Sequence, residues 1–339
     1  MRDRGDGGPA VEVRNLRRVY RVKAGERVAL DSVSFSVELG ELFGILGPNG
    51  AGKTTLVRVL STLLHPTSGT ARVLGLDVVG GQRQLRRRIG ILFGGERGLY
   101  TRVTARQNLR YFAGLYGIPR RTADPRIDRL LHDVGLADRA DEKVETYSRG
   151  MKQRLHLARV LVHDPDIVFL DEPTIGLDPI VAREVRRLIT GLPQRGKTVL
   201  LTSHYMFEAE ALCRRVMVVD SGHVVALDTP EALRRGHPDM ACVDVDLLES
   251  APDVEARMRR LVGAEGAVSL RTEGERQILT VQSTKGADLV PELHHALADC
   301  RLGVVSVREP TLEDVYVRLV SESRRGAAVD GRAPERTGR

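Results

Sequence analysis

At 339 residues the chain is long enough for two domains, each with its own core. Hydrophobic residues (42%) and charged residues (29%) are in ordinary soluble proportion, no apolar run reaches the roughly 18 residues that span a bilayer, and the start "MRDRGDGGPA" lacks a secretory core, so a cytoplasmic location is expected. The net charge of +7 is spread along the chain rather than gathered in a nucleic-acid-binding block, and Cys213, Cys242 and Cys300 form no C-x-x-C pair, which argues against a zinc site or a disulfide framework.

In chain order, residues 1–9 are poor in large apolar side chains and read as disordered. From 10 to about 235, short apolar strands alternate with amphipathic helices, the pattern of an α/β domain. "ELFGILG" reads as a buried strand that enters "GPNGAGKTT", a G-x-x-x-x-G-K-[ST] loop, and "KTTLVRVLSTLL" as the helix that leaves it. Glycines at 47, 50 and 52 let the backbone turn its N–H groups toward phosphate, and the helix adds its positive end. Lys53 supplies a point charge for the β- and γ-phosphates, and the Thr54 hydroxyl is placed to ligate Mg²⁺. The run Gly47, Pro48, Asn49, Gly50, Ala51, Gly52, Lys53, Thr54, Thr55 is therefore assigned to a nucleotide, and it occurs once.

Further along, "TARQNLRYFAGLYG" places Leu109, Phe112, Ala113 and Tyr116 at i, i+3, i+4 and i+7 behind Thr104 as N-cap. With "DPRIDRLLHDVGL" it predicts a helical insert from about 100 to 146. "YSRGMKQR" then offers a second helix N-terminus fit for an anion. One nucleotide does not need two such ends from one domain, and two chains facing each other, each lending this helix to the other's ATP, is the economical solution. "IVFLDEPTIGLD" follows, a buried strand that ends in adjacent carboxylates. Asp171 suits a Mg²⁺ contact and Glu172 suits general-base work on an attacking water.

Beyond "TPEALRRG" the texture changes. "CVDVDLL", "AVSLRT", "RQILTVQS" and "LGVVSVRE" alternate like strands, while "DVEARMRRLV" and "DLVPELHHALADC" read as helices. The order βαββαβ predicts a small α+β, ferredoxin-like domain over 240–320, closed by a helix in "TLEDVYVRLV". Residues 321–339 read as a disordered tail.

The ordered set "GPNGAGKTT", "YSRGM", "IVFLDEP", "GLD" and "SH" resembles the nucleotide-binding domain of an ABC transporter, a P-loop NTPase fold with a helical subdomain, over residues 10–235. That resemblance implies that Tyr20 in "RRVYRV" stacks on adenine, that Ser148 and Gly150 touch the γ-phosphate across a dimer, that Asp178 links the two sites, and that His204 contacts the γ-phosphate. Two positions depart from the family pattern. Arg149 stands where glycine is common, and in "IGILFGGERGLY" Gly94 or Gly95 stands where a Mg²⁺-touching Gln is usual, with Glu96 as the one candidate to replace it.

The resemblance implies an ATPase that works as a homodimer on a separate membrane permease, peripheral on the inner face of the plasma membrane. Five of the thirteen Phe and Tyr residues (Phe93, Tyr100, Tyr111, Phe112 and Tyr116) fall where this family docks its membrane partner, and aromatic clustering suits interface anchors. The ending "REPTLEDVYVRLV" resembles the tail of ATPase subunits of daunorubicin-resistance exporters, which implies drug efflux; related subunits serve polysaccharide, lipid or sodium efflux, and the sequence does not choose among these cargoes. Two alternatives stay open: a soluble ABC ATPase acting on ribosomes or nucleic acid, and a binding module with little turnover. Relatives of the first kind usually carry two such domains or a long coiled coil, so no nucleic-acid partner is expected.

Overall fold

The computed structural model describes residues 8–23, 25–94, 98–236, 241–249, 253–263, 266–273, 276–284 and 288–329. The chain divides into two units, Met1–Leu227 and Asp228–Arg339.

The first unit opens with a long hairpin, Val11–Val22 against Gly25–Val37, which continues through Ser68–Val73 into Leu76–Asp77 as one four-stranded sheet. Irregularities between Val13 and Val19 break the period-two alternation of the first strand, which is why its apolar pattern is hard to read as one element. Beneath it lies a six-stranded sheet in the order His223–Asp228, Arg215–Asp220, Leu42–Leu46, Thr198–Ser203, Ile167–Asp171, Ile89–Leu92. The strands from Arg215–Asp220 to Ile89–Leu92 pair in parallel. Every residue of Leu42–Leu46 and Ile167–Asp171 is buried, as expected where a parallel sheet is covered on both faces. The helix Lys53–Leu60 contributes Leu56, Val57, Val59 and Leu60 to a core shared with both sheets.

Ala105–Leu115, Arg120–Asp133 and Arg149–Leu161 enclose a second core. Thr104 caps the first of them as the pattern predicts, in a reciprocal box: its hydroxyl accepts from Gln107 N, and Gln107 Oε1 accepts from Thr104 N. Leu109 and Ala113 face inward, whereas Tyr116 is exposed.

In the second unit the strands are Ala241–Glu249, Ala267–Glu273, Arg276–Ser283 and Arg301–Arg308, with helices Val254–Val262 and Leu289–Ala296 in the expected positions. The sheet order, second–third–first–fourth with antiparallel neighbours, is that of a ferredoxin-like domain. Pro230–Arg235, which the sequence places at the end of the first domain, belongs to this unit. The sequence also starts a disordered tail at 321, but the last helix runs Leu312–Val329: "SESRRGAAV" carries helix-favouring Glu, Arg and Ala and no proline, so the helix has no reason to stop at 321.

"REPTLED" is a structural clamp at the start of that helix. Arg308 donates to Asp314 and to Asp244 (Nε to Oδ2, 2.7 Å), and Asp314 also accepts from Thr311 N (2.8 Å), Thr311 Oγ1 (2.7 Å) and Gln282 Nε2 (3.0 Å). Burial pushes the Asp314 carboxyl up, but these donors, Arg308 first, outweigh it and hold the group below the usual carboxylate range. Asp314→Ala is expected to destabilise the second unit by about 3 kcal/mol, the low end for breaking a buried pair, because Arg308 keeps Asp244. Scanning calorimetry should show its transition lowered on the order of 15 °C. A depressed carboxylate stabilises above its unfolded pKa, about 3.9, and loses that contribution as pH falls through the native value, so the gap between variant and parent should close below about pH 4.

Candidate functional site

Three neighbouring parallel strands, Leu42–Leu46, Thr198–Ser203 and Ile167–Asp171, end at the same edge of the six-stranded sheet, where Leu46 is level with Ser203 and Thr202 with Asp171. Segments remote in sequence therefore deliver the phosphate loop, His204 and the carboxylate pair to one place, the carboxyl end of a parallel sheet, where ligands of such sheets bind. Gly52, φ +107°, takes the backbone from the loop into its helix; a Cβ there would lie 2.4 Å from the carbonyl oxygen of Ala29, so only glycine fits.

A cleft of about 380 Å³ opens over the loop. It is lined by Tyr20, Pro48, Asn49, Gly50, Gly52, Lys53, Thr54, Thr55 and Glu172, all of them assigned to the nucleotide from sequence, and by Arg21, Val22, Arg27 and Ala29, which were not. Gly47 and Ala51 sit behind this lining, Gly47 by accepting from Lys53 Nζ and Ala51 by carrying the loop against Gly222. Lys53 is 5% exposed; its Nζ donates to the carbonyls of Gly47 (2.7 Å) and Pro48 (3.0 Å) and lies 3.6 Å from Glu172 Oε1. Burial lowers its pKa, and the charges of Glu172 and Asp171 recover only part of that shift.

The Thr54 hydroxyl donates to Asp171 (2.9 Å to Oδ2), and Thr202 Oγ1 donates to the other oxygen (2.6 Å). Glu172 stands at φ +51°, a conformation that costs a non-glycine residue energy, held by bonds from its N–H to Thr202 O and Oγ1 (both 3.1 Å). His204 Nδ1 lies 3.3 Å from Glu172 Oε1. Lys53, Glu172 and His204 thus form one chain of contacts, and Thr54 and Asp171 a second beside it.

Ser148, Gly150 and Asp178 do not line this cleft. Ser148 caps its own helix by accepting from Met151 N (3.3 Å), and Asp178 caps the helix Pro179–Gln194 by accepting from Val181 N (3.0 Å). Gly94 lies against the strand end, where a Cβ would sit 3.4 Å from the backbone carbonyl oxygen of Asp171 and 3.8 Å from that of Glu172, so this position borders the backbone of the carboxylate pair but carries no side chain. Gly95 and Glu96 are outside the described residues.

Three contributors carry no sequence signature. Arg27 is paired with Tyr20 across the hairpin and lines the cleft with Arg21, an arrangement set by strand register alone. Thr202, which orients Asp171, is marked only as a polar residue ending the aliphatic run "TVLLTS". Glu208, 1% exposed, accepts from Thr174 Oγ1 (2.7 Å), Ser203 Oγ (2.8 Å) and Arg186 Nε (3.2 Å), and so ties the segment after Glu172 to the segment before His204.

Of the aromatic group, Tyr100, Tyr111 and Phe112 cluster, with Tyr100 and Tyr111 edge-to-face at 4.8 Å and Tyr111 and Phe112 at 5.4 Å. Tyr116 stacks on His163 at 3.8 Å, whereas Phe93 packs toward the first core beside Arg58. Burial pushes the thiols of Cys213 and Cys242 up, the latter to about 12, so both are inert; the three cysteines are free.

A glycine-rich loop feeding a helix N-terminus that carries a basic residue and a hydroxyl, facing two consecutive carboxylates at the end of a parallel strand of the same sheet, defines a P-loop NTPase of the cassette type. The sequence profile of the ABC transporter family matches residues 30–175. The daunorubicin resistance ATP-binding protein DrrA3 of Streptomyces coeruleorubidus is 39% identical over 303 residues, covering 89% of this chain and 94% of that one. The ABC transporter ATP-binding protein NatA of Bacillus subtilis is 45% identical over 205 residues, 60% of this chain and 83% of that one. Among solved structures, a dimeric ATP-binding cassette in a post-hydrolysis state, bound to ADP and Pi, superposes with a TM-score of 0.59 at 26% identity, covering 65% of this chain and 98% of that one. The chain belongs to the ABC transporter ATP-binding family and is an ATPase.

Proposed function

We propose that this chain is the ATP-hydrolysing subunit of an exporter in which two copies close face to face over two ATP molecules and drive a separate membrane permease. The observation that carries the reading is the meeting of Lys53, Glu172 and His204 with Thr54 and Asp171 at one phosphate cleft, while the serine turn near 148 stays outside it, free for a second molecule's nucleotide.

Tyr20 presents its ring to adenine, and the loop N–H groups with Lys53 hold the phosphates. Glu172 takes a proton from water, the water oxygen bonds to the γ-phosphorus, and the bond to the ADP oxygen breaks. His204 contacts the γ-phosphate and, through Glu172, keeps the base aimed at it. Ser148 and Gly150 of one copy reach the γ-phosphate of the other, and Asp178 lies between the two sites.

Thr54 and Asp171 are adjacent hard oxygen donors, and among the described residues no three His, Cys, Asp or Glu side chains gather as a cage. That set fits Mg²⁺, which keeps phosphate and water among its ligands and, when bound, neutralises phosphate charge.

ATP acts as glue because it binds the closed pair better than the open one; a differential of about 5.5 kcal/mol carries a two-state element from 1:99 to 99:1. The exposed residues Tyr100, Tyr111 and Tyr116 dock the permease, which places the chain peripherally on the inner face of the plasma membrane; no helix among the described residues is itself long and apolar enough to cross a membrane. A cargo resembling daunorubicin is supported by the likeness to daunorubicin resistance proteins over most of the chain. Expression in a daunorubicin-sensitive bacterium, together with its permease, should lower cell-associated drug several-fold. Equal accumulation with the parent chain and with an inactive Lys53→Ala chain would set that cargo aside.

A further inference from the structure

Arg149 stands in the serine turn where glycine is common in the resembled family, and its side chain turns back onto its own protomer. Its Nη2 donates to the carbonyl of Ile175 (3.2 Å). The guanidinium lies against Gly176, so close that a Cβ on that residue would fall 2.4 to 2.6 Å from Nη2, Cζ and Nη1. Gly176 has φ +67°, a backbone conformation that favours glycine, and any side chain there would displace the guanidinium.

Deeper in the structure the same helix makes two further contacts, one with the helix that follows the segment and one with the segment itself. Buried Gly150 packs on Val181, where a Cβ would lie 2.5 Å from Cγ1, and buried Gln153 donates through Nε2 to the carbonyl of Pro173. Pro173 follows Glu172 directly, and Asp178 closes the segment by capping the next helix. The buried pair fixes the body of the helix. Arg149 joins the exposed tip of the serine turn to the exposed tip of the segment that runs on from Glu172.

We propose that Arg149 is a positioning residue that couples the two nucleotide sites of a pair: through Ile175 and Gly176 it makes the serine turn, which serves the partner's ATP, follow the Glu172 segment of its own site. The inference rests on the paired-site reading above and adds a route by which one site senses the other. Its guanidinium suits the task because it is planar, always charged, and can lie flat on a glycine while donating sideways to a carbonyl. A lysine would keep a donor but lose the flat contact.

The test measures steady-state hydrolysis against ATP concentration for the full chain, Arg149→Ala and Arg149→Lys, alongside ATP-dependent dimerisation of Glu172→Gln with and without Arg149→Ala. The parent is expected to show a Hill coefficient near 2, and Arg149→Ala one near 1. The alanine variant should also lose about tenfold in kcat, less than the roughly 100-fold that a 1 Å misplacement of a reacting group costs, with half-saturation within about twofold of the parent. Arg149→Lys should recover part of the kcat, and Glu172→Gln/Arg149→Ala should still dimerise. Unchanged kcat and Hill coefficient in Arg149→Ala, with Glu172→Gln still dimerising, would overturn the coupling role and leave the paired sites standing. Loss of the dimer in the double variant would make Arg149 a contact across the interface and also overturn it. A Glu172→Gln chain that never dimerises would remove the paired-site reading itself, and the coupling with it.

Discussion

Glu172→Gln is expected to slow steady-state ATP hydrolysis by about 10² to 10⁴-fold, the usual contribution of a positioned general base, while ATP binding survives. The amide keeps the size of the carboxylate and can still reach His204, 3.3 Å from Oε1, and Glu172 N–H keeps its two bonds to Thr202. What disappears is the charge that takes the proton. With hydrolysis blocked, the differential that favours the closed pair persists, so saturating ATP should shift the variant to a dimer in size-exclusion chromatography. A variant that stays monomeric in ATP would count against the shared site. One that hydrolyses at the parental rate would remove Glu172 from the base role.

Lys53→Ala is expected to weaken nucleotide binding by about 100-fold or more, from the loss of a charge-assisted contact to phosphate of roughly 3 kcal/mol. Hydrolysis should fall further still, by another 10² to 10³-fold, because positive charge aimed at the transferring group acts most strongly as charge develops there. The variant also leaves the carbonyls of Gly47 and Pro48 without their donor and Glu172 without its cation, so the empty loop should loosen as well. Calorimetric titration with ATP separates the first effect from the second, since the binding loss appears without turnover. Parental affinity in this variant would mean that the loop N–H groups hold the phosphates unaided.

Much of the fold was readable from local pattern. The second unit's βαββαβ order, the loop that joins a buried strand to a helix, and the Thr104 box all rest on contacts between residues a few positions apart, which composition and period encode directly. The tail was misjudged at 321 because helix propensity without an apolar face leaves little trace in hydropathy, and the end of the first domain was placed too late because Pro230–Arg235 is a helix of either unit until its neighbours are known.

The sequence by itself determined which residues could bind phosphate, carry a proton or cap a helix, since those capacities belong to side-chain type and near neighbours. Only the tertiary structure decided which of them meet. Strand order in the six-stranded sheet does not follow chain order, so Lys53, Glu172 and His204 converge through pairings of Leu42–Leu46 with Thr198–Ser203 and of Thr198–Ser203 with Ile167–Asp171. Contacts between distant segments likewise put Glu208 under two loops and Arg149 on Gly176. Those juxtapositions arise from burying two sheets and a helical core at once, a condition on the whole chain that no short window contains.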